Sequence, residues 1–361
     1  MRPKISVVAV SYNGGKRIVP TLESIRLQNS KEKELIIADD CSDDNGLTVK
    51  IIEKWLSMHE KEFLRIVFLK NKQNLGIVAN LYNAAQSASG DVIMFNGQGD
   101  TLYSKNTLNE VADEIEAQRC SGLSDPYFWL GQYRAYSMAN GSFQEVELNK
   151  DLPAHHALIE KNPILALRRN LLIWDIGGVG TVFNSRFFEE KYFPLKNAPR
   201  NWEDGPTFLW ALIEGKRIGV LPVTLRWYEI GVGISWSKEK IPFFRRLVDR
   251  SFVDEKNVEK IYALHRWVSE LKPANPILKK ITRRYIKNLD FQIAMLKASS
   301  VFEVIGKHKM GFIRKVFQKI YRDCFYNKIR KLRNRGYQKE TGMQKIDESF
   351  VTEIFNKKYY I

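Results

Sequence analysis

The amino-acid sequence predicts an α/β fold, in which a Rossmann-like, mostly parallel sheet is flanked by helices and followed by a basic, mainly helical C-terminal region. In the first 120 residues, short apolar runs alternate with segments of helical spacing. This alternation is typical of a parallel sheet with right-handed crossovers. Polar loops follow three of the runs, at residues 11–15, 39–45 and 96–101. Residues 237–361 hold 30 Lys/Arg against 13 Asp/Glu, so the last third of the chain carries the net charge of +16.

The elements of the first half follow from hydrophobic spacing. Residues 5–10 form a short apolar run rich in β-branched side chains, the pattern of a buried strand. Ile18, Leu22 and Ile25 then recur at helical intervals. The same criteria predict strands at residues 5–10, 35–38, 64–69 and 92–95, and helices at residues 16–28, 47–63, 77–88 and 105–119.

The stretch from residue 91 to residue 104 is the centre of the functional prediction. Its apolar run ends at Asn96-Gly-Gln-Gly-Asp100, where two glycines allow a sharp turn and a close approach of a ligand to the main chain. Asp100 therefore stands at the carboxyl end of a buried strand, where open α/β sheets bind their ligands. An ordinary turn, with Asp100 as a capping residue, is the alternative interpretation.

The second half shows weaker signals. Strands are predicted at residues 127–137 and 143–148 as a hairpin around residues 140–141, and a last strand at 218–228. Residues 174–183 combine a glycine-rich turn with a buried run. Glu203 and Asp204 precede an apolar helix, where acids complement the helix dipole as caps. The functional alternative is a general base facing a crevice.

Several classes of protein are not supported by the sequence. No GxGxxG follows the first strand and no GxxxxGK[ST] is present, so neither a dinucleotide fingerprint nor a P-loop is indicated. Three widely spaced cysteines form no metal or disulfide pattern, which favours a reducing compartment. No apolar run is long enough for a membrane span. We therefore expect a cytoplasmic protein. The acidic loop at residues 39–45 suits a neutral base and a ribose, because carboxylates accept hydrogen bonds from base N–H groups and ribose hydroxyls.

Four segments follow one another in an order that matches a known family. They are Ile5-Ser-Val-Val-Ala-Val-Ser-Tyr-Asn13, Ile36-Ile-Ala-Asp-Asp-Cys-Ser-Asp43, Asn74-Leu-Gly-Ile-Val-Ala-Asn80 with Ser89-Gly-Asp91, and Trp202-Glu-Asp204. Together they resemble the family-2 glycosyltransferases, whose catalytic domain has the GT-A fold. In that family, the first segment is similar to the first strand and base-binding loop, and the second to the VDDGSTD segment. The third resembles the helix before the metal motif, and the fourth resembles the WED motif. The resemblance covers roughly residues 4–236.

The resemblance implies an inverting glycosyltransferase with a nucleotide-sugar donor, UDP- or dTDP-linked, and a saccharide or polyprenyl-linked saccharide acceptor in surface polysaccharide synthesis. It implies Asp204 as general base with Glu203 as its neighbour or alternative, Trp202 on the acceptor side and Asp100 as the ligand of Mn²⁺ or Mg²⁺. The residues expected at the nucleotide sugar are Ser11, Tyr12, Asn13, Asp40, Asn74, Asn80 and Gln98.

The chain departs from the family pattern at the metal motif. Gly97 and Gly99 occupy the positions of two acids of the Asp-x-Asp cluster, and only Asp100 remains. The His of the YRxH segment near the final strand is also missing. Lys16 and Arg200 are the candidates for neutralising a diphosphate without a metal. The alternative function is a catalytically degenerate subunit that binds nucleotide sugars or acts as a scaffold.

The domain organisation predicted is a GT-A domain at residues 1–236, with a nucleotide half (1–104) and an acceptor half (105–236), followed by the basic region at 237–361. Residues 307–335 carry 11 Lys/Arg and one acid, interleaved with an apolar helical stripe. This pattern suits a helix on an anionic membrane leaflet, so we expect a peripheral protein at the inner membrane face. Packing on the catalytic domain is the alternative, and no motif supports nucleic-acid binding.

Overall fold

The computed structural model describes residues 1–138, 141–146, 158–159, 161–173, 180–189, 191, 193–232, 255–297, 301–320 and 346–355. The strands are β1 (Ile5–Ser11), β2 (Glu34–Asp39), β3 (Arg65–Lys70), β4 (Val92–Gly97), β5 (Thr101–Leu102), β6 (Phe128–Ser137), β7 (Gln144–Val146), β8 (Thr181–Asn184) and β9 (Gly219–Glu229). The helices are α1 (Ile18–Arg26), α2 (Leu47–His59), α3 (Ile77–Gln86), α4 (Thr107–Cys120), α5 (Pro163–Ile173), α6 (Asp204–Ile213), α7 (Glu255–Glu270), α8 (Pro276–Lys297), α9 (Val301–Ile320) and α10 (Glu348–Phe355).

The strands form one sheet in the order β3-β2-β1-β4-β8-β6-β9-β5, with β7 paired to β6. The first four strands in this order are parallel, as the alternation of strands and helices predicts. β8 lies antiparallel between β4 and β6, whereas β6 and β9 pair in parallel. The carboxyl ends of β1, β2 and β4 therefore meet at one edge, which positions the three polar loops together.

The sheet has a hydrophobic core on each face. On one face, side chains such as Val7 and Met94 pack against α1, α2 and α4. On the other face, side chains such as Val8 and Ile93 pack against α3, α5 and α6. The central strands are consequently apolar on both sides, which explains why they read as continuous apolar runs in the sequence.

The structure confirms the predicted elements and corrects some of their boundaries. The helix predicted to end at residue 63 ends at His59 and is followed by a 3₁₀ turn, Glu60–Glu62. The helix predicted over residues 16–28 consists of a 3₁₀ turn, Gly15–Arg17, and α1. β6 and β7 pair antiparallel, as the predicted hairpin requires, although residues 139–140 lie outside the described residues. Of the glycine-rich stretch at 174–183, residues 174–179 also lie outside them.

The described part of the C-terminal region is helical and partly packed on the sheet domain. Side chains of α7 and α8, including Trp267 and Leu278, belong to the same hydrophobic cluster as α6. The Trp267 indole N–H donates to Pro194 O at 2.9 Å. α10 lies on the other face, where Phe355 contacts Tyr136 with ring centroids 4.6 Å apart. The second half of the basic stretch, residues 321–335, lies outside the described residues.

Candidate functional site

The loop after β1 is held by the Gln98 side chain. The Ser11 hydroxyl and the Tyr12 backbone N–H each donate to Gln98 Oε1 at 3.0 Å, and Gln98 Nε2 donates to Tyr12 O at 2.9 Å. These contacts join the carboxyl ends of β1 and β4. They leave Tyr12 40% exposed, and its role in stacking on a base stays a prediction.

The loop after β2 is organised by its neighbours in the same way. Asp39 accepts from the Ser42 backbone N–H at 2.9 Å. The Asn13 side chain exchanges hydrogen bonds with Asp43, accepting from the Asp43 N–H at 2.8 Å and donating from Nδ2 to the carboxylate. Asn13 has φ of 51°, in the left-handed region that asparagine tolerates better than most residues. Ser11, Tyr12 and Asn13 are thus brought together with the acidic loop, as the sequence predicts.

Asp40 is buried and points towards the loop at residues 71–76. Its carboxylate accepts from the backbone N–H groups of Leu75 and Gly76 at 2.8 and 2.9 Å, and from Asn71 Nδ2 at 3.0 Å. Asn71 also donates to Asn80 Oδ1 at 2.9 Å. Asp40 and Asn80 therefore lie in one hydrogen-bond network at the end of β2, where they fix the shape of this loop.

Arg200 connects the same loop to the segment before α6. Its guanidinium donates to Leu75 O at 2.9 Å and to Asn74 Oδ1 at 2.7 Å. The Val78 N–H in turn donates to Arg200 O at 3.1 Å. Asn74 and Arg200 thus bind each other, and Arg200 is committed to the protein rather than to a ligand in this arrangement.

Asp100 lies at the end of the β4 loop, beside the last residue of β9. Its Oδ1 accepts from the Glu229 N–H at 3.1 Å. Burial raises the pKa of Asp100 to about 7, because a low dielectric disfavours the charged carboxylate, and the Arg226 guanidinium opposes this rise. The Glu229 carboxylate is paired with Arg17 at 2.6 Å.

The Arg17–Glu229 ion pair requires a glycine at residue 99. The Gly99 φ of +94° lies in the region that favours glycine. A side-chain carbon at this position would overlap the Glu229 carboxylate and lie 2.9 Å from Arg17 Nη2. The Arg17–Glu229 pair therefore fills the space that an acidic side chain at residue 99 would need.

The Asp100 loop offers few ligands for a divalent ion. No group of three or more His, Cys, Asp or Glu side chains with metal-binding geometry occurs in the described part of the chain. Glu229 is paired with Arg17, so Asp100 is the carboxylate that remains at this loop. Mg²⁺ and related ions are commonly held by one or two carboxylates together with substrate phosphates and waters. A single carboxylate is compatible with that arrangement, and the role of Asp100 as a metal ligand stays a prediction.

Glu203 and Asp204 lie at the start of α6 and differ in their relation to the helix. Glu203 is the N-cap residue, and its carboxylate makes no capping hydrogen bond to the helix. Its main-chain carbonyl accepts from the Thr207 N–H and hydroxyl at 3.0 and 2.7 Å. The Glu203 carboxylate is therefore not a capping group, whereas the Asp204 carboxylate binds a main-chain N–H in the first turn of the helix. The catalytic role of this pair stays a prediction.

The charges around Glu203 change its protonation. Burial raises the pKa of Glu203 to about 7, and the adjacent Asp204 carboxylate raises it as well. Lys260 and Arg226 oppose this rise. Asp204 Oδ1 accepts from the Gly205 N–H at 2.6 Å. A carboxyl group whose pKa is close to 7 is well matched to proton transfer at neutral pH.

Trp202 is more buried than an acceptor platform would suggest. Its side chain is 8% exposed and packs in the core cluster with α6. A side-chain carbon at Gly205 would overlap the indole, so this glycine allows the ring to lie against the helix. The Lys260 ammonium lies over the other side, 4.6 Å from the ring centroid. The acceptor-side role of Trp202 stays a prediction.

The comparisons with known proteins agree with this geometry. Residues 6–188, just over half of the chain, match the family model described as Glycosyl transferase family 2. The chain belongs to this family. The fold is also that of S. aureus TarS. The structure of TarS residues 1–349 in complex with UDP-GlcNAc aligns with a TM-score of 0.51 and 17% identity, covering 93% of this chain and 92% of that one.

Curated relatives of this family-2 glycosyltransferase match over shorter segments. EpsE of Bacillus subtilis (strain 168), described as a glycosyltransferase, is 33% identical over 110 residues, which are 30% of this chain and 38% of EpsE. The poly(ribitol-phosphate) β-N-acetylglucosaminyltransferase TarP of Staphylococcus aureus (strain N315) is 29% identical over 104 residues, 28% of this chain and 30% of TarP. The chain spans less than half the length of these two relatives.

Three charged residues beside Asp100 belong to no motif in the sequence. Arg17 comes from the 3₁₀ turn before α1, and Arg226 and Glu229 come from β9, so only the tertiary structure joins them. One signal was present: Arg226 interrupts an otherwise apolar strand, between Leu225 and Trp227. A charged side chain in a buried run needs a partner, and such a residue therefore marks a candidate site.

Proposed function

We propose that this family-2 glycosyltransferase is an inverting enzyme that transfers a sugar from a UDP- or dTDP-linked donor to a saccharide or lipid-linked saccharide in surface polysaccharide synthesis. The observation that carries the proposal is that the Arg226 guanidinium interacts electrostatically with both the Asp100 carboxyl and the Glu203 carboxyl. Asp100 follows the Ser11–Gln98 contact that joins the loops after β1 and β4, and Glu203 precedes Asp204. Nucleotide, leaving group and acceptor base are the three requirements of such a transfer.

The donor side of the proposal places the base between the Tyr12 ring and the acidic loop. Tyr12 is partly exposed. The Asp40 carboxylate at the end of β2 accepts three hydrogen bonds, which leaves one lone pair of Oδ2 for a base N–H. Asn13, Asn74, Asn80 and Gln98 shape the surrounding loops. TarS has been solved with UDP-GlcNAc, which supports a uridine nucleotide as the first donor to test.

The chemical step assigned to this chain is removal of the acceptor proton. In the proposed reaction, the acceptor oxygen forms a bond to the anomeric carbon while the bond from that carbon to the diphosphate oxygen breaks. The acceptor proton passes to the Asp204 carboxylate, with Glu203 as orienting neighbour or alternative base. Asp100 would hold Mn²⁺ or Mg²⁺, which supplies charge neutralisation at the diphosphate when it is bound.

Replacing the base separates binding from transfer. Asp204→Asn should leave UDP affinity within about twofold and lower donor turnover by at least about 100-fold, because general-base catalysis contributes on that scale. Isothermal titration with UDP and a donor-consumption assay measure the two quantities. Asp113→Asn, which changes an exposed acid on α4, is the matched control. Unchanged turnover in Asp204→Asn would remove Asp204 from the proposed role.

A second candidate function is a degenerate, nucleotide-sugar-binding subunit without turnover. The observation that favours it is the replacement of two motif acids by Gly97 and Gly99, with the Arg17–Glu229 pair filling the space beside Gly99. Titration of UDP-sugars with Mn²⁺ and with EDTA, followed by product analysis, decides between the two. Binding without any consumption of donor supports the subunit, and transfer to an added saccharide excludes it.

The C-terminal region is proposed to bring the enzyme to an anionic membrane surface on the cytoplasmic side. α9 exposes Phe302 and Phe317, at 82% and 67%, on a helix that also carries several basic residues. Exposed aromatics beside basic residues suit the interface of an anionic bilayer. Among the described helices, none combines the length and apolar character of a membrane span. Co-sedimentation with anionic but not neutral vesicles is the expected result.

A further inference from the structure

Arg226 is a buried guanidinium that the proposed reaction has not yet used. It lies near the end of β9 and is 6% exposed. Its neighbours Leu225 and Trp227 are fully buried on the opposite face of the sheet, so Arg226 projects to the face that carries α6. A guanidinium in such a place is retained at a cost unless charges or hydrogen-bond acceptors face it.

Arg226 has more N–H donors than it has hydrogen bonds to the residues that the structure describes. Its Nη2 donates to Thr181 O at a long distance of 3.5 Å. Its Nε is buried and has no hydrogen-bond partner among the residues that the structure describes. Because a guanidinium carries five N–H donors in a rigid fork and remains charged, this geometry suits a bidentate anion.

Two acidic side chains of the proposed site act on Arg226. Asp100, at the proposed diphosphate, and Glu203, at the proposed base, both interact electrostatically with its guanidinium. In the sheet, Arg226 is paired with Leu102, two residues after Asp100. The bond that breaks in the transfer lies between the diphosphate and the sugar. A fixed cation near the Asp100 loop can therefore stabilise the charge that develops on the leaving group.

We propose that Arg226 binds the terminal phosphate of the nucleoside diphosphate and stabilises it as the leaving group. This inference rests on the proposed function. When the glycosidic bond breaks, its electron pair goes to the bridging oxygen of the diphosphate, and Arg226 accepts no proton and loses none. The guanidinium thereby supplies positive charge that a metal ion held by acids at residues 97 and 99 would otherwise supply. This role complements an ion on Asp100 and does not require one.

The test measures the contribution of the phosphates to binding affinity separately from that of the nucleoside. Isothermal titration is carried out with uridine, UMP and UDP, and with the thymidine series, in EDTA and in Mn²⁺. In Arg226→Gln we expect nucleoside affinity to remain within about twofold, while the preference for the diphosphate over the monophosphate falls about tenfold or more, since a charge-assisted bidentate contact is lost. Arg226→Lys should retain part of this preference, and Arg217→Gln, at an exposed arginine, should retain all of it.

The outcomes distinguish this inference from the function on which it rests. If wild type binds no nucleoside or nucleotide, both the proposed function and the inference fail. If Arg226→Gln binds nucleoside normally and keeps the full diphosphate preference, the function survives and Arg226 only neutralises Asp100 and Glu203. If Arg226→Gln does not fold, the reduced preference expected of a folded Arg226→Lys decides, and an unchanged preference there overturns the inference.

Discussion

The substitution Glu203→Gln should change how the free energy of unfolding depends on pH. The Glu203 carboxyl faces Asp204 on its own helix, Lys260 on α7 and Arg226 on β9. Burial and Asp204 raise its pKa from the ordinary 4.5 to about 7. Below pH 4.5 the folded and unfolded states both hold the proton. Between pH 4.5 and 7 the unfolded state has lost it and the folded state keeps it, so stability falls as the pH rises.

The size of the effect follows from the shift. A rise in pKa from 4.5 to about 7 corresponds to about 3 kcal/mol of destabilisation above pH 7, because each pKa unit is worth about 1.4 kcal/mol. Glu203→Gln keeps the shape of the neutral acid and carries no proton to lose. The variant should therefore gain about 3 kcal/mol relative to wild type between pH 4.5 and pH 8.

Urea unfolding of both proteins at several pH values from 4.5 to 8 measures this difference. Glu32→Gln, at an exposed glutamate before β2, is the control, and its curve should run parallel to that of wild type. If Glu203→Gln also runs parallel to wild type, the carboxyl group is not held neutral by its surroundings. The same variant tests the base: with Asp204 as the base, Glu203→Gln should keep measurable transfer, whereas loss of transfer would assign the proton to Glu203.

Two further substitutions test the packing beside the site and beneath it. Gly99→Ala should destabilise the protein by about 2 kcal/mol or more, because a positive φ and an overlap with Glu229 act together. Gly122→Ala is its control, since φ is also positive there but nothing lies within 4 Å of the added carbon. Trp55→Phe should lower the free energy of unfolding by about 1–3 kcal/mol, because it removes the 2.6 Å hydrogen bond from the buried indole to Glu23. Urea unfolding measures this difference. A decrease of less than about 0.5 kcal/mol would contradict the expected value.

The parallel half of the fold is predictable from the sequence because its signals are local. β1, β2 and β4 are apolar runs that are buried on both faces, whereas the edge strand β3 is partly buried. The helices that follow these strands have apolar stripes at helical spacing. The position of β8 in the sheet cannot be predicted from the local sequence. Its four residues follow a glycine-rich stretch, and nothing in their spacing tells that they pair antiparallel between β4 and β6.

The residues of the candidate site also divide into those with a local sequence signal and those that only the fold brings together. The residues on the loops after β1, β2 and β4 have a local signal, because polar residues there directly follow apolar runs. Arg17 and Glu229 are separated by 212 positions, and their ion pair arises only when α1 and β9 meet at the Asp100 loop. The requirement for Gly99 is a consequence of that pair. A glycine that appears as a lost acid in the sequence is, in the folded chain, the place where two distant charged residues fit.

The hydrogen bonds of Asp40 link the end of β2 to the segment before α6. The Asp40 carboxylate fixes the main chain of Leu75 and Gly76, and that loop in turn binds Arg200. Arg200 lies three residues before Glu203, so the position of the acidic pair depends on a loop whose shape is set at the nucleotide side. A base that binds at Asp40 would act on the same network. The arrangement therefore offers a physical route by which occupancy of the nucleotide site can adjust the carboxylates proposed to take the acceptor proton.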